Sequence, residues 1–312
     1  MPEVSVIIPT YNRAGFLRSA IRSVLNQTFQ DFEIIVVDDG SIDCSAKEVV
    51  NEFRDPRIRY IRHEVNRGGS AARNTGIKAS RGRYIAFLDD DDEWLPEKLQ
   101  KQIEVLYSSP ERVGGVYTGF LILDRSNERL LRRWIPSKRG YLLSELAKEN
   151  CIKTTSTLLL RKECFDKVGL FDENLASSQD YDMWIRISKK FHFECVEEPL
   201  VKYYMHENKI TTNYENLING MESMLEKHHY LFASNRRSYS YRYFILGVLY
   251  CLWEKDKKGR ELIFKAIKLY PFDIRYYFNL GLSLLGVKTF KKIKELRSRL
   301  GVSLLLRKFV TK

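Results

Sequence analysis

The sequence predicts an α/β fold with a mainly parallel, mixed sheet, followed by a helical C-terminal appendage. Three observations carry that reading. Apolar runs of strand length alternate with helix-period stripes up to about Tyr107. Polar clusters follow three of those runs directly, at Thr10-Tyr11-Asn12, Asp38-Asp39-Gly40-Ser41 and Asp89 to Asp92. Beyond about Glu215 the strand pattern stops and only helical periodicity remains.

Val4–Pro9 is an apolar run bounded by turn residues, a buried strand. Gly15–Gln27 places Phe16, Leu17, Ala20, Ile21, Val24 and Leu25 on one helical stripe. Phe32–Asp38 is a second strand, Ser45–Phe53 a helix, Ile58–His63 a short strand, Gly69–Ala79 a helix and Tyr84–Leu88 a strand. Pro96–Tyr107 reads as a helix with proline in its first turn, where no amide donor is needed. Strands joined through helices imply right-handed crossovers and parallel pairing. Ligands of such sheets bind beyond the carboxyl ends of the strands, so the three polar clusters should converge on one edge. From Gly114 the pattern changes. Val116–Leu123 and Ser156–Leu160 read as strands, Tyr141–Lys148 and Tyr181–Lys190 as helices, and Phe191–Val201 as a strand. A mixed second half of the same domain is expected, giving one domain over residues 1–214 and a basic helical region over 215–312. In the latter, Tyr241–Trp253, Gly259–Leu269 and Ile274–Leu285 are helical stretches, and Phe290–Val310 has the composition of a basic amphipathic helix.

Hydrophobic residues make up 44% of the 312 and charged residues 29%, a globular mix that excludes disorder as the main state. The net charge is +12, which invites a nucleic acid, a membrane surface or an anionic substrate. Its position decides among them. Leu231 to Lys312 carries 19 Lys and Arg against 5 Asp and Glu, a net of +14, which leaves −2 for residues 1–230. A near-neutral main domain argues against a nucleic-acid groove, and the basic region is expected to make peripheral contact with an anionic membrane. Five cysteines without a C-x-x-C point to a reducing compartment. No basic n-region precedes Val4, and the longest apolar run, Tyr243–Trp253, is far short of the ~20 residues of a membrane span. The expectation is a cytoplasmic protein, peripheral at the inner face of the cell membrane. The oligomeric state stays open, a homo-oligomer included.

Asp89-Asp90-Asp91-Asp92 is the strongest chemical signal. Adjacent carboxylates repel and need either solvent or a cation, and hard ions such as Mg²⁺ and Mn²⁺ take oxygen ligands and bridge to phosphates. A solvated acidic loop is the plain alternative. In Asp38-Asp39-Gly40-Ser41 the glycine permits a positive φ, while the aspartates can accept hydrogen bonds from a base or ribose. Ordinary turn chemistry is again the alternative. Asn66 to Gly76 is a glycine-containing loop opening a helix, an amide-rich anion site to which Arg73 adds a charge-assisted contact. It matches neither a P-loop nor a dinucleotide fingerprint. Trp94 and Trp184 lie at helical spacing with other apolar residues and read as core. His228-His229 reads as helix surface.

Four segments together resemble family 2 glycosyltransferases with a GT-A nucleotide-sugar-binding fold: Val4 to Arg13, Val36 to Asp43, Ala72 to Ile77 and Phe87 to Pro96. The resemblance covers roughly residues 3–210. It implies that Pro9, Thr10, Tyr11 and Asp39 hold the base, usually uracil or thymine, with Arg13 in the nucleotide-binding set. Arg73 then lies near the nucleotide and Asp90 faces the ribose. Asp91 binds the divalent ion, Mn²⁺ or Mg²⁺, with Asp89 in support, and Asp92 is further back or solvated. Ser177 to Arg186 looks like the family's acidic segment, so Asp180 matches the catalytic base. Gln179 stands where glutamate is usual, which removes one like charge beside it. An N-cap is the alternative for Asp180. His206 follows at the place where relatives bring a histidine to the diphosphate or metal, and surface packing is its alternative.

The implied reaction is an inverting, metal-dependent transfer of a sugar from a nucleotide-diphosphate donor, such as UDP-sugar, to the hydroxyl of a glycan or lipid-linked acceptor. A sugar nucleotidyltransferase is one alternative, although Pro9-Thr10-Tyr11-Asn12-Arg13 stands where such enzymes carry a glycine-rich loop with a basic residue. A non-catalytic sugar-nucleotide-binding scaffold is the other.

Overall fold

The computed structural model describes residues 1–205 and 214–285. His206 and the Phe290–Val310 segment lie outside the described residues. In chain order the elements are β1 (Val4–Thr10), α1 (Ala14–Leu25), β2 (Phe32–Asp38), α2 (Ser45–Phe53), β3 (Ile58–Arg62), α3 (Gly69–Ala79), β4 (Tyr84–Phe87), β5 (Asp92–Trp94), α4 (Lys98–Ser108), β6 (Val113–Asp124), β7 (Leu130–Trp134) and α5 (Leu143–Lys148). A 3₁₀ turn (Thr155–Thr157) follows, then β8 (Leu158–Arg161), α6 (Glu163–Val168), α7 (Gln179–Ser188), β9 (His192–Met205), α8 (Tyr214–Lys227), α9 (His229–Ala233), α10 (Arg236–Leu252), α11 (Asp256–Leu269) and α12 (Ile274–Leu284). They form two compact units. One spans residues 1–143, 151–173 and 179–205. Of the described residues, the other takes 144–150, 174–178 and 214–285.

The first unit is a nine-stranded sheet in the order β3-β2-β1-β4-β8-β6-β9-β5, with β7 paired to β6. The strands β3, β2, β1 and β4 are parallel. The register of β1 on β2 runs from Val4–Phe32 to Thr10–Asp38, so the two strands end level and deliver their following loops to one edge. Beyond β4 the sheet is mixed: β8 is antiparallel to both β4 and β6, while β9 runs parallel to β6. The runs in β1, β2 and β4 are nearly all apolar because both sheet faces are covered, and the buried exceptions Ser5 and Glu33 hydrogen-bond each other at 2.7 Å. On one face α1 contributes Leu17, Ala20, Ile21 and Val24 to the core.

Several boundaries differ from the sequence reading. Pro96 precedes α4 instead of opening it, since its carbonyl accepts the Thr28 amide at 2.8 Å and holds Pro96-Glu97 in a turn. Ser156 does not begin a strand. The Thr154 side chain caps a 3₁₀ turn there, and β8 starts at Leu158. Strands β5 and β7 and helix α6 were not expected at all. Asp92 pairs with Tyr203 in β5, a strand hidden in an acidic run.

The second unit is helical. The helices α10 and α11 meet at Gly247 and Gly259, where a Cβ on Gly247 would stand 2.7 Å from the Gly259 carbonyl oxygen. Tyr276 of α12 is buried, its ring 4.6 Å from Phe244 and its hydroxyl 3.0 Å from Ser240 Oγ. His228 corrects the surface reading. It is 4% exposed, with its ring edge-on to Phe232 at 6.1 Å, because the turn between α8 and α9 folds it inward. Its neighbour His229 is exposed. Among the described residues no helix is long and apolar enough to cross a membrane.

Candidate active site

The loops after β1 and β2 are tied together at the sheet edge. The Asp39 amide donates to Thr10 O at 2.9 Å, the Asn12 amide to Ser41 Oγ at 2.9 Å, and the Ile42 amide to Asn12 Oδ1 at 2.9 Å. Asp38 accepts the Ser41 amide at 2.8 Å and the Tyr60 hydroxyl at 2.5 Å. Gly40 sits at φ +78°, and a Cβ there would lie 2.6 Å from the Val65 carbonyl carbon, so only glycine fits. Asp39 is buried. Its carboxylate accepts the Arg67 and Gly68 amides at 3.0 and 2.7 Å and lies 2.7 Å from His63 Nδ1. With Nδ1–H donating to Asp39, His63 Nε2 accepts the Thr75 hydroxyl at 2.9 Å. Asp39 therefore positions the loop that opens α3, the helix bearing Arg73.

The acidic run is not a solvated loop. Asp90, Asp91 and Asp92 are all buried. Thr10 Oγ1 donates to Asp90 Oδ2 at 2.7 Å, and Arg13 lies 3.4 Å from Asp90 and 3.3 Å from Asp91. Burial first, then the charge of Asp91, pushes the Asp90 carboxyl up to about 7, against the pull of Thr10 and Arg13. Asp89 is held by Arg73 Nη2 at 2.5 Å and by the Thr155 hydroxyl at 3.2 Å. Asp92, 1% exposed, accepts the Ser156 hydroxyl at 2.7 Å.

This donor set suits a hard divalent cation. It offers carboxylate oxygens whose mutual repulsion a cation would offset, and none of its members is a thiol. Among the described residues no three His, Cys, Asp or Glu side chains are gathered into a ready-made cage. A carboxylate set of this kind would fit an ion such as Mg²⁺, which commonly keeps water and substrate phosphate oxygens in its shell.

Asp180 stands in the first turn of α7. It keeps some exposed surface, yet its carboxyl is enclosed enough that burial pushes it up to about 6. The Tyr181 amide and the nearby Arg73 charge pull the other way, and the Asp89 charge adds to the rise. The helix is anchored behind it. Arg186 binds Asp182 at 2.8 Å and the carbonyls of Val168 and Leu170 at 2.8 Å each. Trp94 and Trp184 are both buried, as core residues should be.

The structure thus brings Thr10, Arg13, Asp90 and Asp91 into direct contact, and places Arg73, Asp89 and Asp180 within each other's electrostatic reach. Pro9 precedes Thr10, the last residue of β1, and Tyr11 is 40% exposed at the same edge. His206 lies outside the described residues. Sequence reading missed His63, Thr75, Thr155 and Ser156. For the last two, the run Thr154-Thr155-Ser156-Thr157, four hydroxyls ahead of an apolar strand, was the available signal.

Comparison with known proteins settles the family. The sequence profile described as "Glycosyl transferase family 2" matches residues 5–169. The chain belongs to glycosyltransferase family 2. It is 32% identical over 213 residues to the Escherichia coli protein WfgD, a UDP-Glc:alpha-D-GlcNAc-diphosphoundecaprenol beta-1,3-glucosyltransferase, covering 67% of this chain and 80% of that one. Residues 1–349 of TarS from S. aureus, solved in complex with UDP-GlcNAc, superpose with a TM-score of 0.60 at 18% identity, over 96% of this chain and 92% of that one. The mannosyltransferase PcManGT from Pyrobaculum calidifontis, solved with GDP-Man and Mn²⁺, superposes with a TM-score of 0.59 at 14% identity, over 95% and 87%. The fold of this glycosyltransferase is GT-A, and it is an enzyme of the sugar-transferring class, which displaces the nucleotidyltransferase and scaffold alternatives.

Proposed function

We propose that this glycosyltransferase moves a sugar from a UDP donor to the hydroxyl of a lipid-linked or glycan acceptor in one inverting displacement, with a divalent cation at the acidic loop. The observation that carries the proposal is the meeting of two halves: the Asp89–Asp92 loop, with Asp90, Asp91 and Asp92 buried, and Asp180, which feels the charges of the ion-paired Arg73 and Asp89. WfgD, whose name gives a UDP donor and a diphosphoundecaprenol acceptor, supports the substrate class. The Mn²⁺ bound by PcManGT supports the cation, and the UDP-GlcNAc on TarS the donor.

Each residue then has a task. Asp180 takes the proton from the acceptor hydroxyl as the new bond forms; a carboxyl lifted to about 6 is ionised at neutral pH yet more basic than an ordinary aspartate. Asp91 holds the cation, Mn²⁺ or Mg²⁺, and Asp89 supports it, itself fixed by Arg73 and Thr155. When bound, that ion supplies charge stabilisation to the departing diphosphate. Arg73 adds a second positive charge near the same group. Thr10, Tyr11, Arg13, Asp39 and Pro9 frame the nucleotide at the sheet edge, and Asp90 faces the ribose. Holding donor and acceptor in line contributes its own share of the rate. The basic C-terminal region would keep the enzyme at the inner membrane face, where a lipid-linked acceptor resides, each Lys or Arg near an anionic leaflet adding about 1 kcal/mol.

A panel of UDP-sugars incubated with Mn²⁺, with Mg²⁺ and with chelator tests the proposal. UDP release should occur with at least one donor and one cation, and should vanish on chelation.

A further inference from the structure

We infer that the Ser156 hydroxyl is a positioning group that clamps both ends of the acidic loop and so sets the direction in which Asp90 and Asp91 present their carboxylates. The inference rests on reading that loop as the cation–diphosphate site.

Ser156 is fully buried in the 3₁₀ turn ahead of β8. Its Oγ accepts the Asp89 amide at 3.2 Å and donates to Asp92 Oδ2 at 2.7 Å. One hydroxyl therefore bridges the first and last residues of the run, across a turn closed by the Asp92 amide on Asp89 O at 3.0 Å. The adjacent Thr155 hydroxyl reaches the Asp89 carboxylate itself. Backbone start, side-chain start and side-chain end of the loop are thus all referred to one three-residue turn.

The turn is rigidly seated. Trp94 Nε1 donates to Ser156 O at 2.8 Å, which ties it to β5 immediately after the loop. Gln102 Nε2 donates to Thr157 O at 2.9 Å and to Val116 O at 2.7 Å, locking it onto α4 and β6. Lys98, wholly buried, fixes Gln102 by donating to its Oε1 at 2.7 Å. A bridging hydroxyl at a buried site cannot be replaced by bulk water without opening the core. An ion and diphosphate are sensitive to ligand placement on the ångström scale, so loss of the bridge should act on cation-dependent binding beyond its effect on folding.

Ser23 provides the matched control. Its buried hydroxyl accepts the amide of Trp94, at the other end of β5, at 3.1 Å and donates to Ala20 O at 2.8 Å. It supports the same strand without touching the acidic loop's own groups. The full chain carrying Ser156→Ala, Ser156→Cys or Ser23→Ala is compared with wild type by thermal melting and by calorimetric titration of UDP with Mn²⁺ and with chelator. Both alanine variants should melt lower. Only Ser156→Ala should weaken Mn²⁺-dependent UDP binding, about tenfold or more, with Ser156→Cys in between and UDP binding in chelator equal throughout. Unchanged Mn²⁺-dependent affinity in Ser156→Ala, or equal weakening in Ser23→Ala, overturns the inference. If Ser156→Ala does not fold, wild-type affinity in Ser156→Cys overturns it. Wild-type protein that binds UDP equally with Mn²⁺ and with chelator would instead remove the underlying site reading, and the inference with it.

Discussion

Replacing Asp180 by asparagine should separate chemistry from folding. The two side chains are nearly equal in volume, and the amide oxygen can still accept the Tyr181 amide that the carboxyl accepts. Burial lifts the Asp180 carboxyl from 3.8 to about 6. That gap of about 2 units corresponds to ~3 kcal/mol at most, at ~1.4 kcal/mol per unit. The folded-state value lies above the unfolded one, so ionisation opposes folding. The penalty sets in as pH rises from about 4 and is complete above about 6. Asp180→Asn never ionises, so at pH ~8 it should be at least as stable as wild type. Its transfer rate should nevertheless fall by ~10²–10⁴, the usual worth of a general base. In wild type, kcat/KM should rise with pH and level off with an apparent pKa near 6, because this ratio reports the free enzyme's base. The variant's residual rate should lack that limb. UDP-release rates across the acid-to-neutral range, paired with thermal melts of the same samples, make the check. Wild-type kcat/KM in Asp180→Asn, or an acid limb that survives the substitution, would rule out Asp180 as the base.

Asp91→Ala should abolish stimulation of donor turnover by Mn²⁺ while the protein stays folded, since it also relieves the repulsion on Asp90; metal-titrated UDP release and melting curves read the two effects. Glu33 is buried and desolvation raises its carboxyl, but the Ser5 hydroxyl, the Arg81 amide and Arg59 outweigh that and leave it below its ordinary value. Its stabilisation is therefore present at neutral pH and lost as pH falls through the carboxylate range. Glu33→Gln should cost ~1–3 kcal/mol at neutral pH and less in acid, measured by urea unfolding at both. Gly40→Ala forces a side chain into positive φ against the Val65 backbone, so it should cost about 1–3 kcal/mol in unfolding experiments and weaken nucleotide binding by displacing Asp39.

What the sequence disclosed follows from the range of the interactions involved. Strands β1, β2 and β4 are covered on both faces and read as largely apolar runs, interrupted only by Ser5 in β1 and Glu33 in β2 before their polar ends, and α1 carries its stripe plainly. Strand β5 was invisible because two of its three residues are acidic, and it exists only by pairing with β9 more than a hundred residues later. In β7 the strand residues Arg132 and Arg133 are exposed, so no alternation marks a core face. Carboxylates stand out as candidates because clustered charge is costly wherever it occurs. The hydroxyls that hold them do not: Ser156 meets Asp92 from 64 residues away, and His63 meets Asp39 across 24. Serine and threonine at such separations leave no periodicity. His228 misled for the opposite reason, since a polar pair in a helical stretch reads as surface until tertiary packing turns one member inward.

A single inverting displacement at a cation-dependent site fixes which anomer forms first. Donor hydrolysis needs no knowledge of the acceptor. With a UDP-α-sugar and Mn²⁺, time-resolved proton NMR should record the β-sugar first, with the α form growing in only at the rate of mutarotation, and nothing should form in chelator. Initial release of the α-sugar would mean that the enzyme retains configuration and does not act by a single displacement.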